Sequence, residues 1–278
     1  MKQSGVSQSE DSIPPFLKWA GGKRWLVDNH PQLFPSNVVR YVEPFLGSGA
    51  AFFKLRPKNA LLADSNRQLI ETYKAIRGEW NKVAKLLARH DRSHCREYYY
   101  YMRDAKPRSE VARAAQFVYL NRTCWNGLYR VNLQGKFNVP IGTKARAVLA
   151  SDNFEEVAKL LESADIRWAD FEEVFSMTGS GDFIFADPPY TVRHNNNGFL
   201  KYNESIFSWA DQVRLRDCVV GAISRGATVL VSNAAHRSVR DLYRGIGKIH
   251  LLERKSVIAG NSRARGLYGE VVIKCYAR

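Results

Sequence analysis

Cysteine is scarce in this chain. There are four in 278 residues (Cys95, Cys124, Cys218, Cys275), with no Cys-x-x-Cys pair and no nearby histidine at metal-ligand spacing. That spacing excludes a zinc site and a disulfide framework, so all four are read as reduced thiols. Long apolar runs are missing as well: nothing approaches the roughly 18 residues of a membrane span. The N-terminus is polar (Gln3, Ser4, Ser7, Gln8, Ser9, Glu10, Asp11) where a secretory signal would need an apolar stretch. These absences predict a cytoplasmic protein with no membrane partner. There is no full G-x-G-x-x-G, no phosphate-loop lysine, no internal repeat and no low-complexity tract. A nucleotide held by its phosphates is therefore disfavoured.

Acidic residues are also in deficit, with 27 Asp and Glu against 42 Lys and Arg, giving a formal charge of +15. A chain this basic is expected to meet a polyanion. Residues 81–150 carry fourteen Lys or Arg against four acids, a surplus of ten out of the fifteen. Clustering of that kind favours nucleic acid over an ordinary solvated surface, the plainer alternative.

The size suits one catalytic domain with an insertion. Residues 1–12 read as a disordered tail. Short apolar segments predict strands at Arg40–Glu43, Ala60–Asp64, Ile166–Asp170, Phe183–Asp187, Thr228–Ser232, Lys248–Leu252 and Glu270–Tyr276. Helical spacing falls at Gln68–Arg77, Trp80–His90, Val111–Asn121, Phe154–Ser163, Asp211–Ser224 and His236–Tyr243. This alternation predicts an α/β fold with a mostly parallel sheet and helices on both faces. It lapses over residues 79–150, the basic block. That stretch is read as an inserted, mostly helical lobe with a β-hairpin turn at Leu133-Gln134-Gly135-Lys136. Residues 13–78 and 151–278 are left as the catalytic domain.

Two strand ends carry the first chemistry. Tyr41-Val42-Glu43-Pro44-Phe45-Leu46-Gly47-Ser48-Gly49 is a strand running into a glycine loop that opens a helix at Ala50. Such a loop lets backbone approach a ligand at the carboxyl edge of a sheet. About twenty residues on, the next strand ends at Asp64, whose carboxylate can accept from a ribose diol, cap the following helix, or do both. The decisive element is Phe183-Ile184-Phe185-Ala186-Asp187-Pro188-Pro189-Tyr190. Here an apolar strand delivers a carboxylate, two rigid prolines and an aromatic ring. Pro189 keeps the residue before it extended, so the Asp187 carboxylate and the Pro188 carbonyl can face one point. Two converging acceptors suit an amine with two donors, and Tyr190 offers a stacking face to the base that bears it.

With these motifs the chain resembles the DNA adenine methyltransferase family of N6-adenine enzymes. The resemblance runs from residue 16 to about 275 on Phe16-Leu17-Lys18-Trp19-Ala20-Gly21-Gly22-Lys23, Glu43-Pro44-Phe45, Ala63-Asp64-Ser65-Asn66, Tyr119-Leu120-Asn121-Arg122, Trp125-Asn126-Gly127-Leu128-Tyr129-Arg130, Phe137-Asn138-Val139-Pro140 and Asp187–Tyr190. It implies a Rossmann-like class I methyltransferase core, S-adenosylmethionine as cofactor and duplex DNA as substrate. It also implies a monomer without a metal, with a restriction endonuclease as a candidate partner. Trp19 to Lys23, with Ala20, Gly21 and Gly22, would lie along the cofactor. Glu43, Pro44, Phe45, Gly47, Ser48 and Gly49 would cradle its methionine part, Asp64 its ribose, and Asp170 with Phe171 its adenine. Asp187, Pro188, Pro189 and Tyr190 would be catalytic. The basic lobe would read DNA, with Asn126, Arg130 and Pro140 at base edges in GATC and Trp125 as a wedge. Arg122, Gly127, Leu128, Asn138 and Lys144 would support them against phosphates and bases.

From the residues alone, core packing stays open for Trp19 and Trp125, and simple exposure for Lys23. The run Arg193-His194-Asn195-Asn196-Asn197-Gly198 is unusually polar for the family. The stretch Ser256–Gly269, with Gly260, Arg263, Arg265 and Gly266, reads as a basic loop near DNA. Rival readings are methylation of an RNA adenine or a protein glutamine amide, and a DNA-binding regulator on an idle catalytic fold.

Overall fold

The structure is a computed structural model describing residues 13–35, 37–132, 135–191, 207–255 and 267–277. The expected tail at 1–12, Leu133 and Gln134 of the hairpin turn, the polar run at 193–198 and residues 256–266 of the basic loop lie outside the described residues. The chain divides into two compact units.

One unit, formed by Gln32–Leu46, Pro57–Ser65 and Asp165–Arg278, bears the sheet. Its strands are β1 (Arg40–Glu43), β2 (Ala60–Asp64), β3 (Ala164–Trp168, whose first residue belongs to the other unit), β4 (Asp182–Ala186), β5 (Thr228–Ala234), β6 (Gly247–Lys255) and β7 (Leu267–Cys275). The order is β3-β2-β1-β4-β5-β7-β6. β1 pairs parallel with β2 and β4, and β4 with β5, whereas β7 runs antiparallel between β5 and β6. This is a Rossmann-like arrangement, a mostly parallel sheet with an antiparallel strand inserted near one edge. Alternate residues Val42, Ile184, Val229, Val231, Val271 and Ile273 form one apolar face. It packs on α7 (Phe171–Ser176), α8 (Trp209–Ser224) and α9 (Arg237–Leu242) through Val174, Phe175, Leu215, Val219 and Val239. On the opposite face Phe34 meets Phe183 and Phe185 edge-on. The start of α8 is fixed by a reciprocal capping box between Ser208 and Asp211.

The other unit holds Met1–Pro31, Gly47–Arg56 and Asn66–Ala164. It contains α1 (Arg24–Asn29), α2 (Ala50–Leu55), α3 (Arg67–Arg92), α4 (Arg96–Asp104), α5 (Glu110–Thr123) and α6 (Phe154–Glu162). The two expected helices at 68–77 and 80–90 are one element bent at Glu79, which leaves helical geometry (φ −138°, ψ 34°) next to Gly78. The basic block is therefore built into a unit larger than 79–150. The N-terminal segment joins it through Phe16, which packs on Phe53, Tyr73 and Phe154. The expected hairpin is narrow. Among the described residues it shows one antiparallel bridge, Val131 to Phe137, with Asn132 N–H bonded to Lys136 O and Gly135 at φ +72°. Among the described residues no helix is long and apolar enough to cross a membrane.

Candidate active site and DNA-reading turn

In the sheet unit, the strand order reverses between β1 and β4: the chain passes from β1 to β2 and β3 on one side, then returns to β4 on the other. Open α/β sheets bind ligands outside the carboxyl ends of their strands at such a point. Three carboxylates stand there at the ends of adjacent strands, Asp64 on β2, Glu43 on β1 and Asp187 just beyond β4. Glu43 is buried and accepts a hydrogen bond from the Tyr41 hydroxyl at 2.9 Å. Burial, with the Glu43 and Asp187 charges adding to it, holds the Tyr41 phenol well above its ordinary pKa, so it stays a neutral donor. The loop after β1 is pinned where Leu46 N–H donates to Ala63 O at 2.9 Å. The helix after β2 has Asn66 as its N-cap, whose side chain accepts from Leu69 N–H at 3.1 Å.

Asp170 is the N-cap of α7 and also takes a bidentate contact from Arg214 at 2.7 and 2.8 Å. Phe171 stacks on Phe45 with ring centres 5.4 Å apart, and the Arg214 guanidinium lies over the Phe171 ring at 4.4 Å. Beyond β4, Pro188 is buried, while Asp187, Pro189 and Tyr190 are half-buried. The Tyr190 hydroxyl bonds to Glu270 of β7 (3.1 Å) and Ser232 of β5 (3.2 Å). Gln212 of α8, fully buried, reaches Pro189 O and Thr191 Oγ1, and is held in turn by Asn233 at 2.9 Å. Sequence reasoning missed Gln212, Asn233, Ser232 and Glu270. Each lies far along the chain from the motif it supports, and no local pattern marks it.

In the helical unit, Gly47 and Gly49 adopt positive φ (+48° and +64°), with Gly49 at the start of α2. A Cβ on Gly47 would fall 2.8 Å from Trp19 Cδ1, so the indole and the loop backbone require glycine there. Ser48 is buried, and Tyr73 donates to Gly47 O at 3.1 Å. Lys23 is also buried rather than exposed, and its ammonium donates to Gly21 O at 2.7 Å. Ala20 and Gly21 are exposed, and Gly22 N–H bonds back to Trp19 O. Trp19 is half-buried and stacks on Tyr129, ring centres 5.6 Å apart and 18° from parallel.

In the same unit three of the expected DNA-reading residues, Trp125, Asn126 and Gly127, form one turn, and Pro140 is bonded to it. Trp125, 50% exposed, opens a short 3-10 turn (Trp125–Gly127), in which Asn126 and Gly127 both take positive φ. Trp125 N–H bonds to Pro140 O at 2.9 Å, and Arg130 Nε to Asn138 Oδ1 at 3.0 Å. Leu128 is half-buried and Gly127 buried against Lys18. Lys144 is exposed, its carbonyl meeting His94 Nε2. Arg122 is the exception and corrects the expectation. It is 1% exposed, and all five of its N–H donors are used: by Phe16 O twice, Ala147 O once and the Asp152 carboxylate twice, at 2.6–3.0 Å. A guanidinium enclosed in this way has no donor left for a phosphate. Of the four free cysteines, Cys124 and Cys275 are buried, Cys218 is half-buried and Cys95 is exposed. Among the described residues no group of three or more His, Cys, Asp or Glu could hold a metal ion.

Known proteins resemble this chain over nearly its whole length. A type II methyltransferase of Lactococcus lactis subsp. cremoris is 34% identical over 280 residues, covering 98% of each chain. A type II methyltransferase of Methanocaldococcus jannaschii is 33% identical over 288 residues, covering 95% of this chain and 99% of that one. The DNA adenine methylase of Escherichia coli K12 is 30% identical over 262 residues, covering 92% and 93%. The profile of the D12 class N6 adenine-specific DNA methyltransferases matches residues 19–258. With the motif Asp187–Tyr190 at the reversal of a class I sheet, the chain belongs to this D12 class of N6 adenine-specific DNA methyltransferases.

Proposed function

We propose that the chain transfers a methyl group from S-adenosylmethionine to N6 of an adenine extruded from duplex DNA, in the site GATC. The observation that carries this reading is the place of Asp187-Pro188-Pro189-Tyr190 at the end of β4, beside Glu43 of β1, where the strand order reverses. The donor set fits the cofactor. Asp64 would accept from the ribose hydroxyls, Asp170 and Phe171 would meet the adenine, and Glu43, Pro44 and Phe45 with the Gly47-Ser48-Gly49 loop would hold the methionine part. Trp19 to Lys23 would flank it. The glycine that Trp19 demands at position 47 supports a loop built for close approach. When bound, S-adenosylmethionine supplies a methyl already activated on a sulfonium sulfur, so the proposed reaction needs neither a metal nor a covalent enzyme nucleophile.

Adenine N6 inside a duplex is out of reach, so the base must leave the stack. The exposed Trp125 would wedge into the gap. Arg130 would contact guanine O6 and N7, with Asn126 and Pro140 at the neighbouring base edges, and Lys144 with the surrounding basic residues would neutralise phosphates. Tyr190 would stack on the extruded base. Its amine is a poor nucleophile because the lone pair delocalises into the ring. Donating both N–H groups, to the Asp187 carboxylate and the Pro188 carbonyl, would favour a tetrahedral nitrogen whose lone pair points at the methyl. Asp187 would also offer the departing proton an acceptor. The proposed protein acts as a monomer, and the type II relatives support a restriction endonuclease as its partner. Asp187→Ala tests the assignment. Calorimetry should show cofactor binding preserved while N6-methyladenine formation is lost; normal turnover in that variant would refute it.

A further inference from the structure

The motif Asp187–Tyr190 contains two prolines, which have no backbone N–H and so cannot tie the segment to its neighbours through that group. Tyr190 is nonetheless anchored. Its hydroxyl reaches across two strands to Ser232 Oγ at 3.2 Å and Glu270 Oε2 at 3.1 Å. The register explains why both are available. β5 and β7 pair antiparallel with Ser232 opposite Val272 and Ala234 opposite Glu270, so Ser232 and Glu270 point from the same face of the sheet, diagonal to one another. That face is the opposite of the one packed by α7, α8 and α9, to which Val231, Val271 and Ile273 contribute. Ser232 is fully buried and Glu270 is 6% exposed. A carboxylate buried on the face it shares with Val272 is costly, and a hydrogen bond from the phenol offsets part of that cost.

We propose that Glu270, with Ser232, is a positioning residue for methyl transfer, holding the Tyr190 hydroxyl so that its ring stands as a fixed wall for the target base. The inference rests on the reading of Asp187–Tyr190 given above and adds a residue some eighty positions away to it. Neither Glu270 nor Ser232 touches the substrate in this account; both act through the ring. A tyrosine released from this tether would turn about its side-chain torsions. The base stacked on it would then lose register with Asp187 and Pro188, and a misplacement of about 1 Å is enough to slow a positioned reaction by about 100-fold.

The test compares wild type, Tyr190→Phe, Glu270→Ala, Glu270→Gln and the double variant Y190F/E270A. The readouts are kcat and KM for DNA and cofactor, cofactor binding by calorimetry, and the melting temperature. Tyr190→Phe keeps the ring and removes only the tether, and is expected to lower kcat about 10- to 100-fold with cofactor binding within about twofold. Glu270→Ala, which leaves the Ser232 contact in place, should lose up to as much as Tyr190→Phe, and the double variant should lose no more than Tyr190→Phe alone, because the hydroxyl that Glu270 holds is already gone. Glu270→Gln, whose amide oxygen still accepts from the hydroxyl, should restore most of the turnover. Wild-type kcat in Tyr190→Phe, or fully additive losses in the double variant, would overturn the proposal. If Glu270→Ala does not fold, the contrast between an impaired Tyr190→Phe and a near-normal Glu270→Gln still decides it. A wild-type protein that makes no N6-methyladenine would refute the functional reading itself; a competent wild type with competent Tyr190→Phe refutes only the tether.

Discussion

Replacing Arg122 separates two accounts of the basic lobe. From its motif the residue reads as a DNA contact, whereas its surroundings make it a structural pin: 1% exposed, five hydrogen bonds, and a bidentate pair with Asp152 that is itself only 12% exposed. It joins α5 to the N-terminal segment at Phe16 and to the chain at Ala147 and Asp152. Arg122→Ala leaves the Asp152 carboxylate without its cationic partner, with Leu149 N–H still donating to it, and takes the guanidinium donors from the Phe16 and Ala147 carbonyls. Breaking a buried pair from one side costs about 3–5 kcal/mol. At about 2–4 °C per kcal/mol for a domain of 150–250 residues, the melting temperature should fall by roughly 6–20 °C. Arg122→Lys should recover little, because an ammonium cannot reproduce the planar fork. Urea denaturation gives the loss, and filter binding of duplex at several salt concentrations gives the phosphate count. The pin predicts a large stability loss with an unchanged salt slope in whatever fraction remains folded. A variant with normal stability but a salt slope reduced by about one charge would refute it and restore the DNA contact.

Other outcomes follow from single contacts. Gly47→Ala puts a Cβ 2.8 Å from the Trp19 indole at φ +48°; it should cost about 1–3 kcal/mol of stability and weaken S-adenosylmethionine binding about tenfold or more, as read by calorimetry. Arg130→Ala should relax discrimination at one guanine by about 1–3 kcal/mol while leaving non-specific affinity nearly intact, measured by competition with single-base variants of the site. Burial raises the Cys124 and Cys218 thiols to about 11 and the Cys275 thiol to about 12. At pH 8 these three stay protonated and unreactive, so a thiol reagent should label one site quickly, the exposed Cys95, and the rest only on unfolding. Rapid labelling of two or more in the native protein would contradict that burial.

Much of the fold was legible because its signals are local. β1 and β2 fall at their expected ends, since a short apolar run, Tyr41-Val42 in one and Ala60–Ala63 in the other, stops at an acid in each. The split between 68–77 and 80–90 survives as the bend at Glu79, next to the glycine that interrupts the helical pattern. α4 was not foreseen: Tyr98-Tyr99-Tyr100-Tyr101 shows no apolar period, and only Tyr99 and Met102 are buried in it. The antiparallel insertion of β7 between β5 and β6 was equally invisible, because strand direction is decided by partners distant in sequence. The candidate site divides along the same line. The glycine loop, Asp64 and Asp187–Tyr190 were legible as residue types at strand ends. The burial of Arg122, and the support from Gln212, Ser232, Asn233 and Glu270, depend on tertiary neighbours that no spacing reveals.

The central claim is tested most directly by supplying S-adenosylmethionine with a labelled methyl group and two duplexes, one containing GATC and one with that site scrambled, followed by nucleoside analysis. Labelled N6-methyladenine is expected in the GATC duplex alone. Label in both would keep the chemistry and refute the site. No label in either, with transfer to RNA or to a protein amide instead, would contradict the assignment of duplex adenine as the substrate.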